Sequence, residues 1–297
     1  MFVTRSAWQR GTSSIEGGLF LVPGGRVLTM KTLGLTMDSR FMAPVAAPLP
    51  CTHLLLVLDG WIALEGRGDR IPAPTGVCLE PGEYEARQAG AAGLRIGGAP
   101  RASIEVTLPP AAILVPRGLA RGPFPLPPAV TSAARALIDA HAAPTPERLA
   151  ACQGLLDVLS QQGLVQQGLA RVEYDRGSAQ SGSSQRLLDA LEVLYRTHET
   201  RAYSQLIANL AGLSVRQLSR DMQALRRSAL LPGTTLRELF RVLRLRRAAL
   251  LLSAADLSPS DVAREVGYGS LDAMGRAMRD AHLPAPSVIR AALLEDG

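Results

Sequence analysis

Residues 203–214 read Tyr-Ser-Gln-Leu-Ile-Ala-Asn-Leu-Ala-Gly-Leu-Ser, and this stretch decides the fold of the C-terminal part of the chain. Its apolar residues recur at helical spacing as far as Gly212, which is a good C-terminal stop for a helix. Ser214 then fits the N-cap of a following helix, because its hydroxyl can accept a hydrogen bond from a free backbone N–H group. Two helices joined by a turn of about three residues that contains glycine form a helix-turn-helix unit.

The helix predicted after Ser214 has two different faces. Four apolar residues share one face at helical spacing and are expected to pack inward, namely Val215, Leu218, Met222 and Leu225. Arg216, Arg220 and Gln223 then point the other way. Long polar side chains suit the edges of bases in a major groove, so the sequence predicts a DNA recognition helix here.

Residues 257–268 repeat this plan. Ser258 is the predicted N-cap and Pro259 the first helical residue, a position that tolerates proline well. Gly267 is predicted to end this helix, and Ser270 to cap a last one. The sequence therefore predicts a second helix-turn-helix unit.

A single continuous helix is predicted between the two units, at residues 236–252. At 1.5 Å per residue it spans roughly 25 Å. A rigid spacer of that size would set two recognition helices into successive major-groove faces, which are about 34 Å apart.

The positive charge leans towards this end of the chain. The net charge of the whole sequence is +6, and residues 186–297 hold 16 arginines against 12 acidic residues, a net +4. Contacts to phosphates release counterions, so a basic excess favours a nucleic-acid binder. Lys31 is the only lysine; a GC-rich genome also favours arginine codons, so this preference carries little weight.

Residues 1–125 are rich in glycine and proline and are broken into short apolar runs. Two such runs lie on either side of Asp59-Gly60, a pair that is typical of a hairpin turn. A second turn is predicted at 79–84 and another strand at 102–107. Several short strands at this spacing predict a sandwich or a barrel.

Helices are predicted at roughly 129–141 and 146–169, after the proline-rich residues 123–128 end the β-rich part. The second helix carries an apolar stripe made of Leu149, Cys152, Leu155, Leu156 and Leu159. This stripe packs either on the sheet of its own chain or against a second copy, and the second alternative predicts a homodimer. The composition of residues 171–185 is typical of a flexible linker.

Residues 186–297 resemble the DNA-binding domain of the AraC/XylS family of bacterial transcription regulators. Residues 213–220 are similar to the first recognition helix of that family, 244–248 to its linker helix, and 257–268 to its second unit. The resemblance implies double-stranded DNA as a partner, a cupin-like N-terminal domain that senses a small-molecule effector, and helices that dimerise. Gene activation, with RNA polymerase as a further partner, is also an expectation.

Carried over position by position, the resemblance places base contacts on both recognition helices. The predicted DNA-binding residues are Arg216, Gln217, Ser219, Arg220, Gln223, Ser270, Leu271, Asp272 and Arg276, and Gly275 falls at an equivalent place. Leu271, Asp272 and Gly275 are poor partners for phosphates, so the first unit is expected to carry most of the readout. The family usually has phenylalanine where this chain has Met222, Met274 and Met278; methionine fills that space but specifies it less sharply.

The predicted fold is α+β. A cupin-like β-barrel for effector sensing is expected over residues 1–125, and a helical connector for dimerisation over 126–170. A linker over 171–185 leads to an all-α domain with two helix-turn-helix units over 186–297.

His53, Trp61 and Tyr84 are the candidate effector-binding residues, because ligand pockets favour aromatic side chains. Each is also compatible with a plain packing role. Metal-binding cupins need a cluster of histidines, and His53 is the only histidine before residue 141. We therefore expect no metal, no cofactor and no enzyme activity.

The main alternative is a metal-independent cupin-type enzyme or binding protein with an appended helical domain. No Ser/His/Asp, Cys/His or paired-carboxylate arrangement stands out by its spacing. A DNA-repair fusion of the Ada type needs a four-cysteine zinc site, which Cys51, Cys78 and Cys152 cannot supply. These cysteines are expected to be small buried hydrophobic residues, and a redox-sensing thiol is the other interpretation.

The sequence contains no run of about 18 apolar residues, so no transmembrane helix is predicted. Residues 1–5 lack the basic start and apolar core of a signal peptide. A cytoplasmic location is therefore expected.

Overall fold

The structure is a computed structural model. It describes residues 2–22, 24–44, 50–64, 69–79, 83, 93–112, 122–166, 186–187, 190, 204–231 and 235–294.

The strands of the N-terminal part form one antiparallel sheet. They are β1 (Phe2–Arg10), β2 (Ser13–Val22), β3 (Gly25–Leu33), β4 (Met37–Asp38), β5 (Thr52–Leu64), β6 (Ile71–Pro72), β7 (Thr75–Leu79), β8 (Leu94–Leu108) and β9 (Phe124–Pro125). The order across the sheet is β1-β2-β3-β8-β5-β7-β9, with β4 paired to β8 and β6 to β5. Within the described residues the sheet is cupin-like but does not close into a barrel.

Strand β5 runs straight through Asp59-Gly60, so the predicted hairpin turn at this pair was wrong. Gly60 has a φ of +93°, and the register between β5 and β8 shifts on both sides of Asp59. A Cβ at Gly60 would lie 2.1 Å from the carbonyl oxygen of Gly97. The Asp-Gly pair therefore serves as a bulge, because the long strand β8 pairs with β5 before and after it. The strand predicted at 102–107 is confirmed inside β8.

The helices follow the predicted order. They are α1 (Pro128–Asp139), α2 (Thr145–Gln161), α3 (Ser204–Ala211), α4 (Val215–Ala229), α5 (Leu236–Leu251), α6 (Pro259–Glu265), α7 (Leu271–Asp280) and α8 (Pro286–Leu294). Helix α2 ends at Gln161 rather than near residue 169. The predicted linker at 171–185 lies outside the described residues. Among the described helices, none combines the length and the apolar character that a membrane span needs.

The apolar stripe of α2 packs on the sheet of its own chain. All five of its residues are buried, and they share a core with Leu54, Leu56, Ile104 and Val106 of β5 and β8. The stripe is therefore not a dimer seam, because one face of the sheet is apolar and already covers it. The own-chain alternative is the one that the structure confirms.

A second core joins the sheet to the C-terminal helices. Ile15, Leu35 and Phe41 from the N-terminal part pack in one cluster with residues of α5, α6, α7 and α8. Helix α5 contributes its C-terminal half to this cluster and its N-terminal half to the core around α3 and α4. The sheet and the second helix-turn-helix unit are thus packed together, and α5 connects them to the first unit.

Candidate DNA interface and its link to the sheet

The first helix-turn-helix unit consists of α3, a short turn and α4, as the sequence predicts. Gly212 lies in the turn with a φ of +61°. The Ser214 hydroxyl accepts a hydrogen bond from the backbone N–H of Gln217 at 3.2 Å, which makes Ser214 the N-cap of α4. Leu218 and Met222 are buried against α3 and α5. Val215 is 40% exposed, so its predicted inward position was wrong; it lies at the first residue of α4, outside that core.

The solvent face of α4 presents polar side chains. Arg216, Ser219, Arg220 and Gln223 are all exposed. Gln217 is half-buried, donates to Asp221 at 2.6 Å, and accepts a hydrogen bond from the guanidinium of Arg220 at 2.8 Å. Gln217 therefore orients Arg220 and has less of its own side chain free to reach a base.

The second unit is built by stronger local signals. Ser258 and Asp261 form a capping box at the start of α6, with Pro259 as the first helical residue. Gly267 follows the helix with a φ of +83°. Ser270 caps α7 by accepting a hydrogen bond from the backbone N–H of Ala273 at 3.1 Å. These features confirm the predicted second helix-turn-helix unit, with α6 and α7 as its two helices and Gly267 in its turn.

The solvent face of α7 is less suited to DNA than that of α4. Ser270, Leu271, Asp272 and Arg276 are exposed. Gly275 is buried, and a Cβ there would lie 4.0 Å from Pro286, so its assignment to the DNA-contacting face was wrong. An acidic and an apolar side chain at the start of α7 offer little to a phosphate or a guanine.

Arg26 of β3 connects the sheet to the C-terminal end of α4. Its guanidinium donates a hydrogen bond to the carbonyl oxygen of Leu230, the residue that ends α4. Leu230 has a φ of +51°, a left-handed conformation that is costly for leucine. The same guanidinium lies 3.7 Å from Glu105 of β8. Arg26 thus holds the end of the first recognition helix and a partly buried carboxylate at the same time.

Glu105 belongs to a buried polar cluster around His53. Nδ1 of His53 lies 2.8 Å from Glu105, its Nε2 lies 3.3 Å from Sγ of Cys51, and the Thr107 hydroxyl donates to Glu105 at 3.0 Å. Burial disfavours the charged imidazole, but hydrogen bonds to Cys51 and Glu105 and the charge of Glu105 raise the pKa of His53 to about 9. Burial also opposes ionisation of Glu105, yet His53, Arg26 and Thr107 lower its pKa to about 2. The cluster is an ion pair at neutral pH.

The candidate effector residues do not converge on one pocket. His53 is buried near the start of β5, while Trp61 lies near its end, packed between Gly97 and the guanidinium of Arg70, which is 4.5 Å from the ring. Eight residues of extended strand separate them by roughly 25 Å. Tyr84 lies outside the described residues. Among the candidates, only His53 belongs to a connected polar network in the described part of the chain.

Sequence reasoning missed Cys51, Glu105 and Arg26. One signal was available, because Cys51 lies two residues before His53 at the start of β5, and alternate residues of an extended chain share a face. The other partners lie on β8 and β3, and no local pattern indicates which strands pair with β5. Long-range sheet pairing supplied those contacts.

Three further hydrogen bonds tie the sheet to the second unit. Nε1 of Trp8 donates to Glu265 at 2.8 Å, the Ser13 hydroxyl donates to Asp256 at 2.9 Å, and the backbone N–H of Thr36 donates to Ser253 at 2.9 Å. These bonds surround the shared apolar core described above. The second unit is therefore anchored to the sheet by both apolar and polar contacts.

Comparison with known proteins gives a match in the same part of the chain. Residues 207–292 match the family model described as a helix-turn-helix domain. Apo ToxT from Vibrio cholerae, in a variant form, is a similar solved structure with a TM-score of 0.39 and 11% identity, covering 96% of this chain and 99% of that one. Wild-type ToxT from the same organism, bound to an unsaturated fatty acid, has a TM-score of 0.37 and 11% identity, covering 96% of this chain and 97% of that one. The AraC-like transcriptional activator CuxR has a TM-score of 0.21 and 12% identity, covering 95% of this chain and 81% of that one. No curated protein sequence matches significantly.

Proposed function

We propose that this protein is a DNA-binding transcription regulator of the AraC/XylS family, with the helix-turn-helix domain matched at residues 207–292 as its DNA-binding part. In this proposal its binding to DNA changes when a small molecule binds the N-terminal sheet. The observation that carries the proposal is the position of Arg26. It contacts both the buried cluster of the sheet and the end of α4. A change at the sheet is thereby passed to a recognition helix without a long chain of intermediates.

In this proposal α4 enters the major groove and reads the sequence. Arg216 and Arg220 supply guanidinium groups that can bind guanine with two parallel hydrogen bonds. Ser219 and Gln223 lie on the same exposed face and add shorter polar contacts. Gln217 keeps Arg220 oriented before DNA arrives, which lowers the entropy lost on binding.

The response to the effector runs through the His53 cluster. A ligand group that contacts His53 or Glu105 competes with Arg26 for the Glu105 carboxylate. Arg26 then shifts, and the left-handed end of α4 at Leu230 loses the hydrogen bond that supports it. The population of DNA-binding orientations of α4 changes accordingly, because the ligand favours one state over the other.

Three finer points belong to the same proposal. The protein acts in the cytoplasm, it contacts RNA polymerase when it activates a gene, and it binds DNA as a homodimer. The dimer contact lies outside the α2 stripe, since that stripe is buried in its own chain.

DNA affinity of the full chain as a function of salt tests the proposal. A preferred duplex would first be selected from a random-sequence pool. Binding to it should weaken linearly in log–log form, with a slope of about −0.9 per phosphate contact. Arg216→Ala combined with Arg220→Ala should abolish the sequence preference. Arg135→Ala is the matched control, because Arg135 is an exposed arginine of α1 that pairs with Asp59 of β5 and not with a residue of α4. A chain that selects no sequence would overturn the proposal.

We also propose that the chain is not an enzyme, although one observation favours the enzyme alternative. Cys51, His53 and Glu105 are linked in the order of nucleophile, base and orienting carboxylate. Alkylation of the full chain by iodoacetamide separates the two functions. Cys152 is an internal reference, since burial raises the pKa of its thiol to about 12. A structural Cys51 reacts as slowly as Cys152, whereas a catalytic one reacts much faster and slows when His53 is replaced by glutamine.

A further inference from the structure

Arg101 of β8 is a buried arginine whose hydrogen-bonding capacity is largely unused. It is 1% exposed. Its Nη1 donates to the carbonyl oxygen of Ile96 at 2.9 Å, and its Nη2 lies 3.3 Å from the thioether sulfur of Met30. Its Nε has no hydrogen-bond partner in the described part of the chain. A thioether is a weak acceptor, so the side of the guanidinium formed by Nε and Nη2 is poorly satisfied.

Thr32 of β3 lies directly opposite Arg101 in the sheet. The two residues are paired in the register of β3 and β8, so their side chains share one face. Thr32 is 1% exposed, and its hydroxyl likewise has no hydrogen-bond partner among the described residues. Two unsatisfied polar groups on neighbouring strands thus point to the same side of the sheet.

A buried cation without an anion is costly for the protein. Burial lowers the pKa of Arg101 to about 10, which still leaves it charged at neutral pH. Glu105, the next carboxylate on this face of β8, is already paired with His53 and Arg26. The charge of Arg101 therefore has no partner of opposite sign in the described residues, and an anionic ligand would supply one.

We propose that Arg101 and Thr32 bind the carboxylate group of an organic acid. The two carboxylate oxygens match the parallel N–H groups of Nε and Nη2, and the Thr32 hydroxyl donates a third hydrogen bond to the same group. This site rests on the proposed effector response and deepens it by naming the chemical class of the effector.

The site also has a route to the C-terminal helices. A carboxylate on Nη2 replaces the sulfur of Met30, whose side chain packs against the core shared by the sheet and the second unit. Movement of Met30 changes that packing directly. Binding at Arg101 is thereby transmitted to α5, which belongs to this core and also to the core of the first unit.

The test uses thermal unfolding of the full chain with formate, hexanoate and phenylacetate, each compared with its neutral primary amide. A ligand that binds the folded state raises the unfolding temperature, and at a fixed ligand concentration the rise grows with the logarithm of its affinity. We expect at least one carboxylate to stabilise the protein and its amide to bind at least about tenfold more weakly. Only the anion has two oxygens that can accept hydrogen bonds from both Nε and Nη2 of Arg101. Each ligand is tested at concentrations that increase tenfold up to about 10 mM, because a Kd above that value would be weak for a ligand with three hydrogen bonds. The proposal is overturned if no acid stabilises the protein in this range. It is also overturned if the acids and their amides stabilise the protein equally.

Thr32→Val is the decisive variant, because it keeps the shape of the side chain and removes the hydroxyl. It should weaken carboxylate binding about fivefold or more while leaving the folded protein at least as stable. Thr29→Val is the matched control, since Thr29 is buried on the opposite face of the same strand. Equal effects of the two variants on carboxylate binding would show that the hydroxyl of Thr32 has no special role and would overturn the site. Failure here leaves salt-dependent DNA binding intact, so it is distinguishable from failure of the proposed function.

Discussion

The two helix-turn-helix units share one plan but differ in their surroundings. The first unit has its own small core around Ile207, Leu218 and Met222, and reaches the sheet mainly through Arg26 and a contact between Leu21 and Leu231. The second unit has no separate core, because its buried residues join a cluster with the sheet. Their exposed faces differ as well, since Arg216 and Ser219 of α4 correspond to Asp272 and the buried Gly275 of α7, whereas Arg220 corresponds to another exposed arginine, Arg276.

The difference indicates a division of labour. A unit that is packed against the sheet along its whole core keeps a fixed orientation, whereas one held by a few contacts can be reoriented at small cost. The first unit therefore suits sequence reading that responds to an effector, and the second suits anchoring. Helix α5 takes part in both cores and fixes the distance between them.

Removing core volume should produce the largest difference between the units. Met274 and Leu218 are both buried, and replacing either with alanine costs about 2–5 kcal/mol. Leu218→Ala should increase hydrogen exchange in α3, α4 and the N-terminal half of α5, which share its core. Met274→Ala should also increase it in the strands that share the second core. Equal exchange patterns for the two variants would contradict the separate cores.

The His53 cluster predicts a loss of stability at high pH. The pKa of His53 is raised from 6.5 to about 9 in the folded state. Its contribution is therefore complete below pH 6.5 and lost as the pH rises through 9, an effect of about 3 kcal/mol. Urea unfolding at pH 7 and pH 9.5 measures it, and His53→Gln should flatten the difference.

His282→Asn is the control for this experiment. His282 is exposed and has a φ of +58°, a conformation that asparagine tolerates. The pH dependence should be the same in His282→Asn as in the unaltered protein. A pH dependence that persists in His53→Gln would remove the ion pair from the account.

The helix caps should give a smaller contrast. Ser214→Ala removes one side-chain hydrogen bond at the start of α4, whereas Ser258→Ala also breaks a capping box. Each loss is about 1 kcal/mol, with Ser258 at the larger end. Only the Ser214 change should weaken DNA binding, because it frays the recognition helix. Thermal unfolding measures the loss of stability in both variants, and DNA titration measures their affinities. Equal DNA affinities would argue against α4 as the recognition helix.

Gly275→Ala should have the smallest effect. A Cβ fits against Pro286 at ordinary contact distance, and alanine favours a helix by about 0.5–1 kcal/mol over glycine. The variant should be slightly more stable and bind DNA unchanged. A clear loss of DNA affinity would mean that α7 lies closer to DNA than its buried glycine indicates.

The local signals of the C-terminal domain were readable from the sequence, and those of the sheet were not. Caps such as Ser214 and Ser258 act over three or four residues, so their roles follow from neighbouring residues alone. The hairpin turn predicted at Asp59-Gly60 was wrong because a β-bulge and a turn favour the same residue types. Only the pairing with β8 decides between them. The contacts of Arg26, Thr32 and Arg101 depend on strand order, which the sequence does not encode locally.

The division of labour between the units is tested most directly by the DNA affinity of Arg220→Ala and Arg276→Ala, measured on one selected duplex and on its single-base variants. Both residues are exposed arginines of a recognition helix, so the substitutions are matched. Arg220→Ala should lose about 1–3 kcal/mol of binding free energy and relax specificity at one base position. Arg276→Ala should lose less and leave the base preferences unchanged. A larger loss for Arg276→Ala, or relaxed specificity in that variant alone, would contradict the account.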